Sequence, residues 1–255
     1  MVAAYRQPRR QNLNIQERLK LGLVAYYSTA QQGVVNLKAG LWGVGATPGI
    51  LDLTNNGTVT RAAGPSNNLP DASHYVAASS QFLSVADSVY LQPRASVFAF
   101  AIWAKPDGVA TASTRMAMAK RAANNIEWSL YHNGSTNIWS FEASSSGTAA
   151  TRTVLSAIAA PTGSWYFVTG WWDGAALTLR TYFPDGSVEQ VRSAAFAGPV
   201  FAGTAPFTIS NNQVSTFRWS GDLSNAYYWI GRIPKRSELD WLYNEGAGNV
   251  LVPLV

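Results

Sequence analysis

Two glutamates, Glu127 and Glu142, are the residues best suited to acid–base chemistry, because each stands among apolar and aromatic neighbours. A glycosidase needs two carboxyls about 5–5.5 Å apart for retention, or about 6.5–9.5 Å apart for inversion. On one strand such a pair requires alternate acidic residues, and the sequence contains no such triplet. A hydrolase would therefore need a second carboxylate from a loop, such as Asp71 or Asp87. We expect Glu127 and Glu142 instead to be strand-end or ion-paired surface residues.

The sequence lacks the other common catalytic patterns. It has no cysteine, and its two histidines, His74 and His132, are too isolated to suggest a transition-metal site. A G-x-S-x-G nucleophile elbow and a phosphate-binding loop are also absent from the sequence. His132 precedes Asn133-Gly134, so we expect it in a hairpin turn. These features favour binding over catalysis.

The aromatic residues offer a binding chemistry, because the face of a tryptophan packs well on a sugar ring. Most of the 10 tryptophans are expected in the core of the fold. Trp171 and Trp172 are adjacent, and neighbouring side chains on a strand point to opposite faces. One of them should therefore lie outside the core. We single out Trp171, Trp172 and Asp173 as a candidate glycan or interface site.

The elements that must position these residues are short strands. Charged residues make up only 13% of the chain, and from Tyr75 onward aromatic and β-branched runs recur about every dozen residues. The run from Val97 to Trp103 is apolar at every position, which predicts a central strand. No repeat of 20–50 residues is present. The pattern predicts one all-β domain.

The net charge of +5 is concentrated at the N-terminus, where residues 1–20 hold five basic residues and one acidic residue. Asn14, Glu17 and Gly22 mark the cap, the capping box and the end of a short helix. We expect residues 1–21 to form a basic arm with this helix, and residues 22–255 to form the domain. Nucleic acid would be contacted only through the arm. The arm residues expected to bind a partner are Arg6, Arg9, Arg10, Ile15, Arg18, Leu19 and Lys20.

A second short helix is expected near the C-terminus. Leu239, Leu242 and Tyr243 form an apolar stripe at helical spacing, with Ser237 as the expected N-cap and Gly246 as the expected end. Because a lone helix after many strands must pack on a sheet or across its rim, this helix should close the domain.

Several phrases along the chain resemble the laminin-G-like, concanavalin A-like jelly rolls in their short form. The resemblance implies a two-sheet antiparallel jelly-roll sandwich with a short C-terminal helix. It also implies carbohydrate binding, the commonest role of such domains. The phrases, in order, are GLVAYY (22–27), WAKPDG (103–108), WSLY (128–131), PTGSWYFV (161–168) and LYNEG (242–246).

One departure from the family pattern concerns calcium. Relatives have G-x-I-D-E-V in the penultimate strand, and its Asp can serve a bound calcium ion, whereas this chain has GDLSNA at 221–226. Ser224 and Asn225 replace the two carboxylates, although calcium favours carboxylate oxygens. Asp222 is left as a weak calcium candidate, and we expect no other metal or cofactor.

Our first hypothesis is a non-enzymatic structural or adhesion protein of a bacteriophage virion: a capsid decoration, head-fibre or tail protein. The nearly neutral body, the basic arm and the absence of cysteine and of a recognisable export signal motivate it. Such a protein would assemble in the host cytoplasm, attach to other virion proteins through the arm, and form a homo-oligomer or join a lattice.

The alternative is a lectin-like carbohydrate-binding module, and a glycoside hydrolase is a distant third. Membrane insertion is not expected, because no apolar run approaches the ~20 residues of a membrane span.

Overall fold

The computed structural model describes residues 14–27, 51–108, 114–210 and 217–251. Fifteen strands and two α-helices form within these residues. Between Leu23 and Val85 the strands are β1 (Leu23–Tyr27), β2 (Thr54–Asn56), β3 (Thr60–Ala63), β4 (Asp71–Tyr75) and β5 (Phe82–Val85). They continue as β6 (Phe98–Pro106), β7 (Thr114–Ala122), β8 (Asn125–Asn133), β9 (Ile138–Ala143) and β10 (Arg152–Leu155). The last five are β11 (Tyr166–Trp172), β12 (Ala176–Tyr182), β13 (Val188–Ala195), β14 (Phe207–Ser210) and β15 (Gly221–Ile230). The helices are α1 (Ile15–Lys20) and α2 (Arg236–Tyr243).

The strands form two antiparallel sheets. The eight-stranded sheet has the order β13-β12-β11-β6-β15-β4-β3, with β1 also paired to β15. The seven-stranded sheet has the order β10-β9-β8-β7-β14-β5-β2. This arrangement confirms the predicted two-sheet jelly-roll sandwich, and β6 is central as predicted.

The main core lies between the two sheets and is rich in aromatic rings. Phe100 of β6 stacks on Trp128 of β8 with ring centroids 5.1 Å apart, and Phe141 of β9 meets Phe100 edge-on at 4.9 Å. Gly170 of β11 faces these rings, and a Cβ there would lie 2.4 Å from the Phe100 ring. The absence of a side chain at Gly170 therefore lets Phe100 reach across the core.

A second apolar cluster lies on the outer face of the eight-stranded sheet. Trp103 and Phe167 project from the sheet with centroids 5.2 Å apart, and Leu239 and Leu242 of α2 cover them. The stripe predicted on this helix is therefore confirmed, because all three of its residues are buried. Both faces of β6 are buried as a result, which explains its uniformly apolar sequence.

The predicted N-cap of α2 is wrong by two residues. The helix begins after Lys235, whose amide donates to Glu238 Oε2 at 2.7 Å, rather than at Ser237. The reason is that Glu238, three residues after Lys235, completes the capping box. The helix ends at Tyr243, because Asn244 takes a left-handed conformation as its C-cap, two residues before the expected Gly246, which is left-handed as well.

The short N-terminal helix forms as predicted but does not extend away from the domain. Asn14 Oδ1 accepts from the amide of Glu17 at 2.9 Å, and Leu19 is fully buried in the outer cluster. The Leu19 carbonyl accepts from Trp229 Nε1 at 2.8 Å, and Arg18 pairs with Glu238 at 3.0 Å. The expected free arm is therefore wrong for residues 14–21, because the apolar face of α1 finds its partner on its own sheet.

Two of the other predicted arm residues also lie against the domain or along α1, and three lie outside the described residues. Ile15 also packs on the outer cluster, and Lys20 is nearly buried beside Glu17 at 3.6 Å. Arg6, Arg9 and Arg10 lie outside the described residues. None of the helices within the described ranges has the length and apolar character needed to cross a membrane.

Candidate functional site

Glu127 is fully buried on the outer side of β8 rather than at a strand end. Its Oε1 lies 3.3 Å from Lys120 Nζ, and the same ammonium lies 2.6 Å from Asp87 Oδ1. Lys120 Nζ also donates to the Ala205 carbonyl at 2.8 Å. Burial raises the pKa of the Glu127 carboxyl to about 7, although Lys120 opposes this rise. Asp87 and Glu127 thus flank a buried cation rather than an open cleft.

Glu142 occupies a similar position on the neighbouring strand. Glu142 is paired across the strands with Ser129, which follows Glu127 by two residues in β8. The Glu142 carboxylate accepts hydrogen bonds from Ser129 Oγ at 2.6 Å and from Arg121. Only 6% of Glu142 is exposed. The expected ion pairing of Glu127 and Glu142 is confirmed, but their surface position is wrong. Because each carboxylate already faces a cation and is buried, the pair has no access to a substrate.

The two histidines also have structural partners. His132 lies inside β8 rather than in a turn, and its Nε2 donates to the Ala160 carbonyl at 2.9 Å. Burial lowers the pKa of His132 to about 4, so the buried ring is neutral near pH 7.

Asp222, the calcium candidate, is held by basic side chains. His74 Nδ1 lies 2.7 Å from its Oδ1, and Lys105 Nζ lies 3.5 Å from its Oδ2. Within the described ranges, no group of three or more acidic or histidine side chains is arranged to hold a metal ion. The surroundings of Asp222 therefore suit an ion-pair network better than a cation site.

Trp171 and Trp172 point to opposite faces of β11, as their adjacency predicts. Trp172 is 3% exposed in the main core, where its Nε1 donates to the Phe196 carbonyl at 3.3 Å. Trp171 is half-buried on the outer face, and the Arg180 guanidinium lies 5.5 Å from its ring centroid. Trp172 is therefore a core residue, and Trp171 is the one available to a ligand.

Asp173 shapes the turn that follows Trp172. Its Oδ1 accepts from the amides of Ala175 and Ala176 at 2.9 Å, and its Oδ2 pairs with Arg192. Partial burial raises the pKa of Asp173, but the hydrogen bonds from Arg192 and the two amides outweigh it and lower the pKa overall. This carboxylate is ionised at neutral pH and fixes Arg192 beside the turn.

The outer face of β11, β12 and β13 forms a polar surface around Trp171, which we call the Trp171 face: Trp171, Arg180, Gln190 and Arg192. Arg180 is opposite Gln190 on β13, and Arg180 Nε donates to Gln190 Oε1 at 3.0 Å. Gln190 and Arg192 are exposed, whereas Arg180 is only 8% exposed. Because β13 is an edge strand, these polar groups line the margin of the sheet beside a partly exposed indole.

The sequence pattern indicated Trp171 and Asp173 as site residues, but it did not indicate Arg180, Gln190 or Arg192. The D-G turn at 185–186 joins β12 to β13 and predicts a hairpin. Counting back from that turn would have placed Arg180 opposite Gln190. The Asp173-Gly174 turn likewise joins β11 to β12, so the same counting would have placed Arg180 on the face of Trp171.

Comparison with known proteins agrees with this fold. A family model described as the concanavalin A-like lectin/glucanases superfamily matches residues 75–231. The chain belongs to this superfamily. Among curated proteins, none matches the sequence significantly.

Several solved structures share the fold of this superfamily member at low identity. The binding domain of paraclostridial mosquitocidal protein 1 has a TM-score of 0.64 at 10% identity, over 89% of this chain and 52% of that one. The binding domain of botulinum neurotoxin serotype C1 has a TM-score of 0.59 at 11% identity, over 89% of this chain and 53% of that one. This chain therefore spans about half the length of those toxin domains.

A third structure matches along nearly its whole length. It is domain 4 of AbnA, an extracellular GH43 arabinanase from Geobacillus stearothermophilus, in complex with arabinotriose. The TM-score is 0.54 at 17% identity, over 85% of this chain and 96% of that one.

Proposed function

We propose that this chain is a non-catalytic carbohydrate-binding domain and that the Trp171 face is its binding surface. The observation that carries the proposal is the partly exposed Trp171 ring beside Arg180, Gln190 and Arg192. An indole covers the apolar C–H face of a sugar, and adjacent polar side chains hydrogen-bond its hydroxyls. The superfamily and the arabinotriose complex of the AbnA domain support this proposal.

The state of the carboxylates also supports binding rather than catalysis. Hydrolysis needs an acid and a second carboxylate that both reach the scissile bond. Here Glu127 lies against Lys120, and Glu142 lies against Arg121 and Ser129. A binding domain does not require either of these buried carboxylates to reach its ligand.

Replacing Trp171 with alanine should weaken glycan binding about tenfold or more, because the stacking platform is lost. The matched control is Trp165→Ala, since Trp165 is also half-buried against the outer cluster but lies at the opposite end of β11. A glycan array should identify the ligand, and calorimetry should measure the affinity of both variants. Thermal unfolding should show that both variants are folded. The proposal fails if the wild-type domain binds no glycan, or if only Trp165→Ala reduces affinity.

Attachment to a virion through residues 1–13 stays a prediction alongside glycan binding. The docking of α1 limits this hypothesis to residues 1–13, because residues 14–21 pack on the domain itself rather than extending to a partner. Removing residues 1–13 while keeping α1 should abolish co-assembly with virion proteins and leave the unfolding temperature unchanged. Unchanged co-assembly of this truncation, or no association of the full chain with virions, would contradict the prediction.

A further inference from the structure

Arg180 is a buried cation without a carboxylate partner. Four lysine or arginine residues are nearly buried in the described part of the chain: Lys20, Arg115, Lys120 and Arg180. Lys20 forms an ion pair with Glu17, and Arg115 forms one with Asp107. Lys120 forms ion pairs with both Asp87 and Glu127. Arg180 forms none, although all 14 acidic side chains of the sequence lie in the described ranges. Because buried charges are normally paired, Arg180 needs a separate explanation.

Neutral groups hold the Arg180 guanidinium in place. Its Nε and Nη2 both donate to Gln190 Oε1, and its Nη1 lies 3.3 Å from the Tyr182 hydroxyl. The guanidinium also lies over the Trp171 ring. Arginine binds a carboxylate through two parallel N–H···O bonds from one edge of the guanidinium, and here the Nε–Nη2 edge is occupied by the single oxygen Gln190 Oε1. The Gln190 amide therefore stands where a carboxylate would bind, and its exposure allows it to turn away.

Two carboxylates that contact neighbours of Arg180, Asp173 and Asp240, are engaged elsewhere. Asp173 pairs with Arg192. Asp240 accepts from the Tyr182 hydroxyl at 2.9 Å and lies 3.5 Å from Arg236. Arg180 therefore reaches a carboxylate of the described residues only through the Tyr182 hydroxyl, and a ligand carboxylate could supply the direct partner.

We infer that the Trp171 face selects acidic carbohydrates, with the ring carboxylate of a uronic or sialic acid binding Arg180 in place of the Gln190 amide. This inference rests on the proposed function and adds its ligand class. The sugar ring lies against Trp171. Trp171 therefore provides stacking, and Arg180 recognises the negative charge. Neutral sugars stack on Trp171 and hydrogen-bond to the polar side chains of the face, but they lack the charge contact with Arg180 and bind more weakly.

The substitution Gln190→Glu tests the inference with an almost isosteric change. It supplies an internal carboxylate to Arg180, which should compete with the ligand and reduce binding of acidic sugars about ten- to a hundredfold. Binding of neutral sugars should change much less, by about threefold at most, because they carry no carboxylate for the new side chain to compete with. The matched variant Gln190→Ala removes the competing amide and should bind acidic sugars at least as well as the wild type.

Two pairs of probes separate the sources of the carboxylate. One pair is an oligogalacturonate and its neutral methyl ester, and the other is sialyllactose and lactose. Tighter binding of one acidic member identifies uronic or sialic acid as the source, and its loss in Gln190→Glu supports the inference. Equal binding of the acidic and neutral members, or acidic binding that Gln190→Glu leaves intact, overturns it. If no glycan on the array binds, the proposed function fails as well; if only neutral sugars bind, the proposed function stands without the acidic preference.

Discussion

Replacing Glu238 with glutamine should destabilise the domain by about 3 kcal/mol, because it leaves two arginines without their shared carboxylate. Glu238 is fully buried, and its two oxygens lie 3.0 Å from Arg18 Nε and 2.5 Å from Arg232 Nη2. Its Oε2 also accepts the amide that begins α2. We expect the lower end of the range for a broken buried ion pair, since the Arg18 side chain is 35% exposed and can turn to water.

Urea unfolding of Glu238→Gln beside Glu245→Gln tests this expectation. Glu245 is exposed just beyond the same helix, so its substitution should change the free energy of unfolding by less than about 0.5 kcal/mol. Equal stability of the two variants would show that α1 and α2 are not joined through Glu238. Removing residues 14–21 should likewise destabilise the domain, whereas an N-terminal arm independent of the body would be removed without cost.

Stability between pH 4.5 and 6.5 should be almost flat, because Glu127 and His132 have opposite effects there. Folding raises the pKa of Glu127 from 4.5 to about 7, so its ionisation opposes folding, and stability falls by about 3 kcal/mol as the pH rises from 4.5 to 7. Folding lowers the pKa of His132 from 6.5 to about 4, so its protonation opposes folding. Stability then falls by a similar amount as the pH drops from 6.5 to 4.

Single substitutions should uncover each effect. In Glu127→Gln only the histidine remains, so the free energy of unfolding should decrease as the pH falls below 6.5. In His132→Gln only the effect of Glu127 remains, so the free energy of unfolding should decrease as the pH rises from 4.5 to 7. Urea unfolding across this pH range would measure both slopes. Parallel profiles for the two variants would contradict the opposing shifts.

Local rules predicted the elements of this fold well. The cap at Asn14, the stripe on α2 and the D-G turns depend on neighbouring residues, so the sequence specifies them. The opposite facing of Trp171 and Trp172 follows from strand geometry alone. The ordered phrases identified the superfamily because the jelly roll keeps the same sequence of elements along the chain.

The errors involve contacts between residues distant in sequence. The burial of Glu127 depends on Lys120 and on the segment at Ala205, and the docking of α1 depends on Trp229. Charge and composition suggested an arm because five basic residues outnumber one acidic residue there. The apolar side of α1 was the better guide, since Ile15 and Leu19 are too few to form a core alone and must pack on one elsewhere.

The pairing of the first strand with the last has a consequence for biosynthesis. The Tyr26 hydroxyl bonds to Asn225 across 199 residues, and β15 lies between β6 and β4 in the middle of its sheet. While the chain is still on the ribosome, β6 and β4 each present an unsatisfied backbone edge to their surroundings. The nascent protein must therefore be shielded from self-association until translation is nearly finished, and a premature stop before residue 221 should produce inclusion bodies rather than a smaller soluble domain.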